Sequence, residues 1–321
     1  MSKEFSFDEI DILKLFRNDK TSSSFLNGIG DDAAVIKIKN QKLAVSCDSQ
    51  VNNVHFKFEF STIRQIAFRA VSVALSDLAA MGANPLFFTN SLHIPKGFSK
   101  RDIALTKKGF AEAEKRFNIQ LIGGNIASSK VFAIDVTVIG SLDNYIPRGS
   151  LKDEKIYVSG NIGSANAGLN LLKMKKVDKQ LVEKYRTPIP RVELAKRLSS
   201  KSFLSSMIDI TDGLAIDLER LVKFKRKTLG AQIEWSKIPK SLNLEKYFSN
   251  KKIFEMVLFG GDDYELLFTI KKNKQKSFED YVKNNNLSVF EIGTTNTTGN
   301  ICISKNSKVI KIKNGGYVHK F

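Results

Sequence analysis

Only two cysteines, Cys47 and Cys302, occur in the 321 residues. One pair cannot form the disulfide framework of a small secreted scaffold, and such low usage fits a reducing compartment, so a cytoplasmic location is expected. No stretch approaches the roughly 18 uninterrupted apolar residues of a bilayer-spanning helix, so no membrane partner is expected. Histidine is scarce, with three in the chain, and no His or Cys pair has zinc-ligand spacing. The Walker A pattern and the protein-kinase motif set are both missing, and no short-period repeat is visible. The N-terminal "MSKEFSFDEIDILKLF" places four acids in its first eleven residues. Its apolar residues are spaced as on an amphipathic helix, and neither a signal nor a transit peptide is expected there.

Acidic residues are the minority charge, 33 Asp+Glu against 51 Lys+Arg, for a formal net charge of +18. The basic residues run along the whole chain ("KKGF", "LLKMKKVDKQ", "KFKRKTLG", "KKNKQK") and are mostly Lys. They are not interleaved with aromatics as a base-stacking surface requires, so they read as a solvated face and no nucleic-acid partner is expected. A hydrophobic fraction of 42% and a charged fraction of 26% are those of a globular chain, and the length suits two domains.

Strand and helix patterns alternate throughout. "KLAVSCD", Lys42 to Asp48, reads as a buried strand, and Ser61 to Met81 as a helix capped by Ser61 or Thr62 and stopped by Gly82 and Pro85. Asp102 to Phe117 reads as a second helix, and Val131 to Gly140 alternates as a half-buried strand. The polar, turn-rich "NYIPRGSLKDEK" reads as the domain junction. The fold class is therefore mixed α/β, with an N-terminal domain over residues 1–147 and a C-terminal α/β domain over 148–321. Beyond the junction, "IYVSGNIGSANAGLNLL" and "MIDITDGLAIDLERLVKF" each give a strand, a glycine-bearing turn and a helix, and "FGGDDYELLFTI" is a turn entering a strand.

The scarce acids stand where acids are costly. Asp31 and Asp32 adjoin each other in "GIGDDAAVI" before an apolar run, and like charges beside a core segment need something positive between them. Asp77 projects from the apolar stripe of Ile63, Ile66, Ala70, Val73, Ala74 and Leu78, near a helix C-terminus whose dipole disfavours an anion. The plain alternative is an edge Asp bonded to backbone, Arg64 or Arg69. Asp48 ends a strand, Asp209 lies in the apolar "MIDI", Asp212 follows a capping Thr211, and Asp262 and Asp263 follow Gly260-Gly261. Each singly is an ordinary turn or cap residue. Together, five acidic sites at the ends of apolar elements point to an all-oxygen site for a hard cation such as Mg²⁺. Such sites accompany phosphates, for which the turns "SGNIGSANAG" and "ITDG" offer backbone N–H groups.

Five segments, "GIGDDAAVI", "VSCDSQVNNVHF", "VSVALSDLAAMGANP", "IDITDGLAIDL" and "GGDDYELLFT", stand in the order and spacing of thiamine-monophosphate kinase. The resemblance extends from about Phe7 to the terminal "GGYVHKF". It places the chain in the superfamily of aminoimidazole ribonucleotide synthetase, with two α/β domains, the first pairing in a homodimer. It implies Mg²⁺-dependent transfer from ATP to thiamine monophosphate, giving thiamine diphosphate, with several Mg²⁺ ions and no general base. Carried over position by position, it implies metal roles for Asp32, Ser46, Asp48, Asp77, Asp209 and Asp212, and ATP contacts for Gly124, Arg148 and Thr211. His55, Asp262 and Tyr317 match substrate-contacting positions, with Asp262 standing where the family usually has Glu. The plain alternatives are a packed histidine for His55 and a tail-pinning aromatic for Tyr317. Two positions depart from the pattern. Asn125, in "GGNIASSK", replaces a metal-binding Asp of "GGDTTRG", keeping a carbonyl oxygen without charge, and Cys47 stands where Thr is usual. The alternatives are another ATP-dependent superfamily member of the ribonucleotide-synthetase type, or a non-catalytic nucleotide-binding homologue.

Overall fold

The computed structural model describes residues 8, 12, 13, 16, 25–28, 30–312 and 315–318. The expected N-terminal amphipathic helix lies largely outside these residues. Two sheets organise the chain. The first contains β1 (Phe25–Asn27), β2 (Ala34–Ile38), β3 (Gln41–Val51), β4 (Asn84–Pro95), β5 (Gln120–Ser129) and β6 (Ala133–Leu142), in the order β1-β2-β3-β6-β4-β5. All neighbours are antiparallel except β4 and β5, which are parallel because helix α2 (Lys100–Phe117) crosses between them. The second contains β7 (Lys155–Ser159), β8 (Leu204–Ile210), β9 (Gly230–Glu234), β10 (Glu265–Ile270), β11 (Val289–Asn296), β12 (Ile301–Lys305) and β13 (Lys308–Lys311), in the order β13-β12-β9-β11-β7-β10-β8. Six further helices follow in the described residues: α3 (Ser164–Lys173), α4 (Lys179–Arg186), α5 (Val192–Ser199), α6 (Leu214–Lys223), α7 (Asn250–Phe259) and α8 (Gln275–Asn284).

Helix α1 (Ile63–Ala80) joins the two sheets. Thr62 and Gln65 form a capping box at its start, and Gly82, at φ +70, takes the left-handed turn that ends it. Its apolar residues are buried nearly all round. Ile66, Leu75 and Leu78 share one core with Val136 and Val138 of the first sheet and with Met207 and Phe268 of the second. From Ile66 onward the helix is buried on nearly every side, where a polar residue has little access to bulk water. Arg69 and Ser72 find their partners inside the protein, while Asp77 reaches a cavity.

Helix α2 begins two residues earlier than its pattern predicted, since Ser99 and Asp102 form a capping box that makes Asp102 the third helical residue. Along β3, Ser46, Asp48 and Gln50 alternate with Cys47 and Ser49 and so share the face toward α1, which Ser46 and Gln50 contact directly. The opposite face, with Ser49, Asp135 and Thr137, is half-exposed. No described helix is long and apolar enough to cross a membrane.

Candidate active site

Asp32, Asp77 and Asp209 come from three distant segments, and one carboxylate oxygen of each lies within 4.8 Å of the other two. Asp32 precedes β2, Asp77 is in the last turn of α1, and Asp209 is next to last in β8. Ser46 Oγ donates to Asp77 Oδ2 at 2.5 Å. Arg64 and Arg69, the alternative partners for Asp77, are engaged with Glu112 and Asp262. Burial first, then the charges of Asp209, Asp48 and Asp32, push the Asp77 carboxyl well above the ordinary 3.8. Burial and then Asp32 do the same to Asp209. Asp48 rises to about 6 through burial, opposed by the Ser49 amide and Arg69.

Asp209 Oδ2 is buried with no hydrogen-bond partner, and Ser76 beside it also lacks a well-formed bond. A buried carboxylate oxygen without a donor, facing two more carboxylates, is costly unless a cation completes it. The donors are all oxygen and the charge is dense, so the residues fit Mg²⁺.

The positive charge beside Asp31 and Asp32 comes from Arg148. Arg148 grips Asp32 through Nη2 to Oδ1 at 2.6 Å and Nε to Oδ2 at 3.1 Å, and lies 3.5 Å from Asp31. Such a two-pronged pair needs no ion to be stable. The positive group that these adjacent carboxylates call for is thus supplied from within the chain, and Arg148, which the resemblance places at ATP, is here bound to Asp32.

The glycine-bearing turns differ from expectation too. Gly163 N and Ala165 N at the start of α3 donate to Asp263 at 2.6 and 3.1 Å. The amides of Thr211, Asp212 and Gly213 all donate to Asp217 Oδ2 at 3.0 to 3.1 Å. Both helix starts expected to receive a phosphate are thus occupied by buried carboxylates of this chain. Thr211 is not the cap of α6, because that helix begins after Gly213 and Asp217 takes over the capping. Burial holds the Asp263 carboxyl up near 7 and that of Asp217 near 6.

A cavity of about 580 Å³ opens beside the carboxylate cluster. Asp48, Asp77, Thr211 and Asp212 line it, together with His55, Asp262 and Tyr317, and Phe56, Phe259 and Tyr264 supply aromatic wall. His55 Nδ1 accepts from Val51 N at 3.0 Å, so the neutral ring carries its proton on Nε2. Asp212 pairs with Arg220, and its carbonyl accepts from Tyr317 N at 3.0 Å, which ties the C-terminal segment to the cavity. Gly261 must be glycine, because a Cβ there would stand 2.3 Å from Thr211 O.

Gly124 and Asn125 stand elsewhere. Asp48, Val136, Asn90 and Gly124 form one row across the sheet, and Asn125 pairs with Ser91 in the next row. Three strand spacings separate Gly124 from Asp48, about 14 Å. Within one chain both residues remain on the exposed edge strand.

Residues 30–142 match the model of the AIR synthase related protein, N-terminal domain. A thiamine-monophosphate kinase of Buchnera aphidicola subsp. Schizaphis graminum is 34% identical over 326 aligned positions, covering 98% of this chain and 99% of that protein. The chain belongs to the thiamine-monophosphate kinase family. The family's Bacillus subtilis member is 29% identical over 91% of this chain and 93% of its own. The solved structure of AaThiL complexed with AMPPCP and TMP superposes with a TM-score of 0.83 at 27% identity, covering 97% of each chain.

Arg69 and Asp217, which the sequence pattern did not single out, hold site residues in place, Asp263 caps α3 instead of joining the acidic cluster, and Glu265 is a further buried acid. Glu265 is buried against Arg191, Lys184 and Ser159 at 2.5, 3.2 and 2.6 Å. The available signal was a charged residue inside an apolar run, as in "IAFRAVSV" and "GLAIDLERL", the same anomaly that marked Asp77.

Proposed function

We propose that the chain transfers the γ-phosphoryl group of ATP to thiamine monophosphate, releasing thiamine diphosphate and ADP. The observation that carries this reading is the convergence of Asp32, Asp77 and Asp209 within 4.8 Å beside an aromatic-walled cavity. Family membership at 34% identity over nearly the whole length supports the same substrates. An oxygen of the acceptor phosphate forms the new bond to the γ-phosphorus as the bond between that phosphorus and the β–γ bridging oxygen breaks. The attacking oxygen is already anionic, so no general base is required.

Asp32, Asp77 and Asp209 would hold Mg²⁺, with Ser46 orienting Asp77, Asp48 adjoining and Asp212 a further contact. Bound there, Mg²⁺ offsets phosphate–phosphate repulsion of about 4 kcal/mol per pair of unit charges at ~4 Å and an effective dielectric of 20. Arg148 holds Asp32 in place and, with Thr211, serves ATP. His55, Asp262 and Tyr317 receive the acceptor in the cavity.

The two halves, 1–147 and 148–321, work together across this site, and two copies form a homodimer. The half-exposed face of the first sheet and the exposed Ile122 (53%) and Ile126 (70%) on β5 support that pairing. Gly124 and Asn125 can reach phosphate or metal only where a second copy's edge strand meets the site. A cytoplasmic location accords with two free cysteines. Incubating purified protein with ATP, Mg²⁺ and thiamine monophosphate, then separating products by chromatography, tests the reaction. Thiamine diphosphate no higher than in a no-enzyme control would rule it out.

A further inference from the structure

Arg69 is 2% exposed and lies within the apolar run Ile66–Val73 of α1. A guanidinium so placed is retained only where its donors are satisfied. The partners come from separate elements. Nε donates to Gln50 Oε1 of β3 at 3.0 Å, Nη1 to the carbonyl of Tyr185 in α4, and Nη2 to Asp262 Oδ1 at 2.7 Å. The rings of Tyr185 and Tyr264 stack on it at 5.0 and 5.7 Å.

Asp262 does not hold its place unaided. Its φ is 73° and that of Tyr264 is 50°, both in the left-handed region that non-glycine residues avoid. Tyr264 OH donates to Asp262 Oδ1 at 3.0 Å, the same oxygen that Arg69 takes. Oδ2 carries neither of these bonds, on a side chain that lines the cavity and is 31% exposed.

We propose that Arg69 is a positioning residue that sets affinity for the acceptor: by fixing Asp262 Oδ1 it presents Oδ2 to a cationic heteroaromatic ring, the thiazolium of the substrate. The inference rests on the acceptor reading above and concerns that substrate alone. Arg69 touches neither the carboxylate cluster nor the groups assigned to ATP.

Steady-state kinetics on the full chain test it, with the wild type measured first. Arg69→Lys keeps the charge but loses the fork, and should raise KM for thiamine monophosphate about tenfold while kcat and KM for ATP stay within about twofold. Tyr264→Phe, which removes only the second donor to Oδ1, should raise the same KM about threefold. Arg69→Lys combined with Asp262→Glu pairs a shorter cation with a longer acid and should bring KM back to within about threefold of wild type. A merely structural role would move both KM values and kcat together, lower Tm and show no recovery in the double variant. That pattern, or an unchanged acceptor KM in both single variants, overturns the proposal and leaves the reaction intact. A wild type that forms no thiamine diphosphate removes the reaction and this inference with it.

Discussion

Asp209→Asn should make the metal-free protein more stable while abolishing phosphoryl transfer. Asp209 is 2% exposed, its Oδ2 has no hydrogen-bond partner, and Asp32 and Asp77 lie within 4.8 Å. At that separation and an effective dielectric of 20, each like-charge pair costs about 3.5 kcal/mol. The protein escapes part of this by protonation. Protonating a carboxyl of ordinary value 3.8 at pH 7 costs about 4 kcal/mol, which caps the penalty for one group. The amide removes the charge and places an N–H₂ donor between two carboxylates. Allowing for relaxation, a gain of about 2 kcal/mol is expected, which for a chain of this length raises Tm by about 3 °C. The assay is differential scanning calorimetry in buffer containing a chelator, repeated with Mg²⁺. Wild-type Tm should climb on adding Mg²⁺ and the variant's should not. A Tm several degrees below wild type in chelator, or an undiminished response to Mg²⁺, would refute the account of the cluster as a repulsive site completed by a cation.

The same groups set the pH dependence. Asp48, Asp217 and Asp263 have carboxyls raised to about 6, 6 and 7, and Asp77 and Asp209 are also held well above the ordinary carboxylate range by burial and neighbouring acids. A raised carboxyl binds its proton more tightly when folded, so its cost is absent below the unfolded value of 3.8 and full above the folded one. In chelator, denaturant midpoints should fall as pH rises from about 4 to 7; a rise across that interval refutes this. Asp217→Ala leaves the amides of Thr211, Asp212 and Gly213 without their acceptor, and a loss of about 2–4 kcal/mol is expected in urea unfolding, smaller for Asp217→Asn. Arg148→Met removes the two-pronged partner of the buried Asp32 carboxylate and should cost about 3–5 kcal/mol in chelator, with part of the loss recovered by Mg²⁺.

How far the site can be read from residues alone depends on whether the signal is local. Asp77 was legible because an anion on an apolar helical stripe violates the helix's own pattern. Asp209 likewise broke an apolar strand pattern, whereas Asp48, read as the end of a strand, lies inside β3, which runs on to Val51. The strand-turn-helix units after residue 150 were legible from the switch between period two and period 3.6. The partners were not. Nothing near "GIGDDAAVI" in the chain identifies Arg148 as the cation, since it lies more than a hundred residues away and reaches Asp32 only once the segment after β6 folds back. The turns "SGNIGSANAG" and "ITDG" looked open to phosphate because backbone amides carry no mark in sequence of who accepts from them. Asp263 and Asp217 had already taken that role.

The sequence by itself determined where to look: scarce acids lodged in apolar elements, without His or Cys ligands, led to the expectation of an oxygen-rich cation site. Only the tertiary structure decided which of those acids meet and which are answered from within. Whether two carboxylates repel, share a cation or pair with an arginine depends on separations of a few ångströms. Those separations arise when β2, α1 and β8 pack together, and spacing along the chain does not encode them.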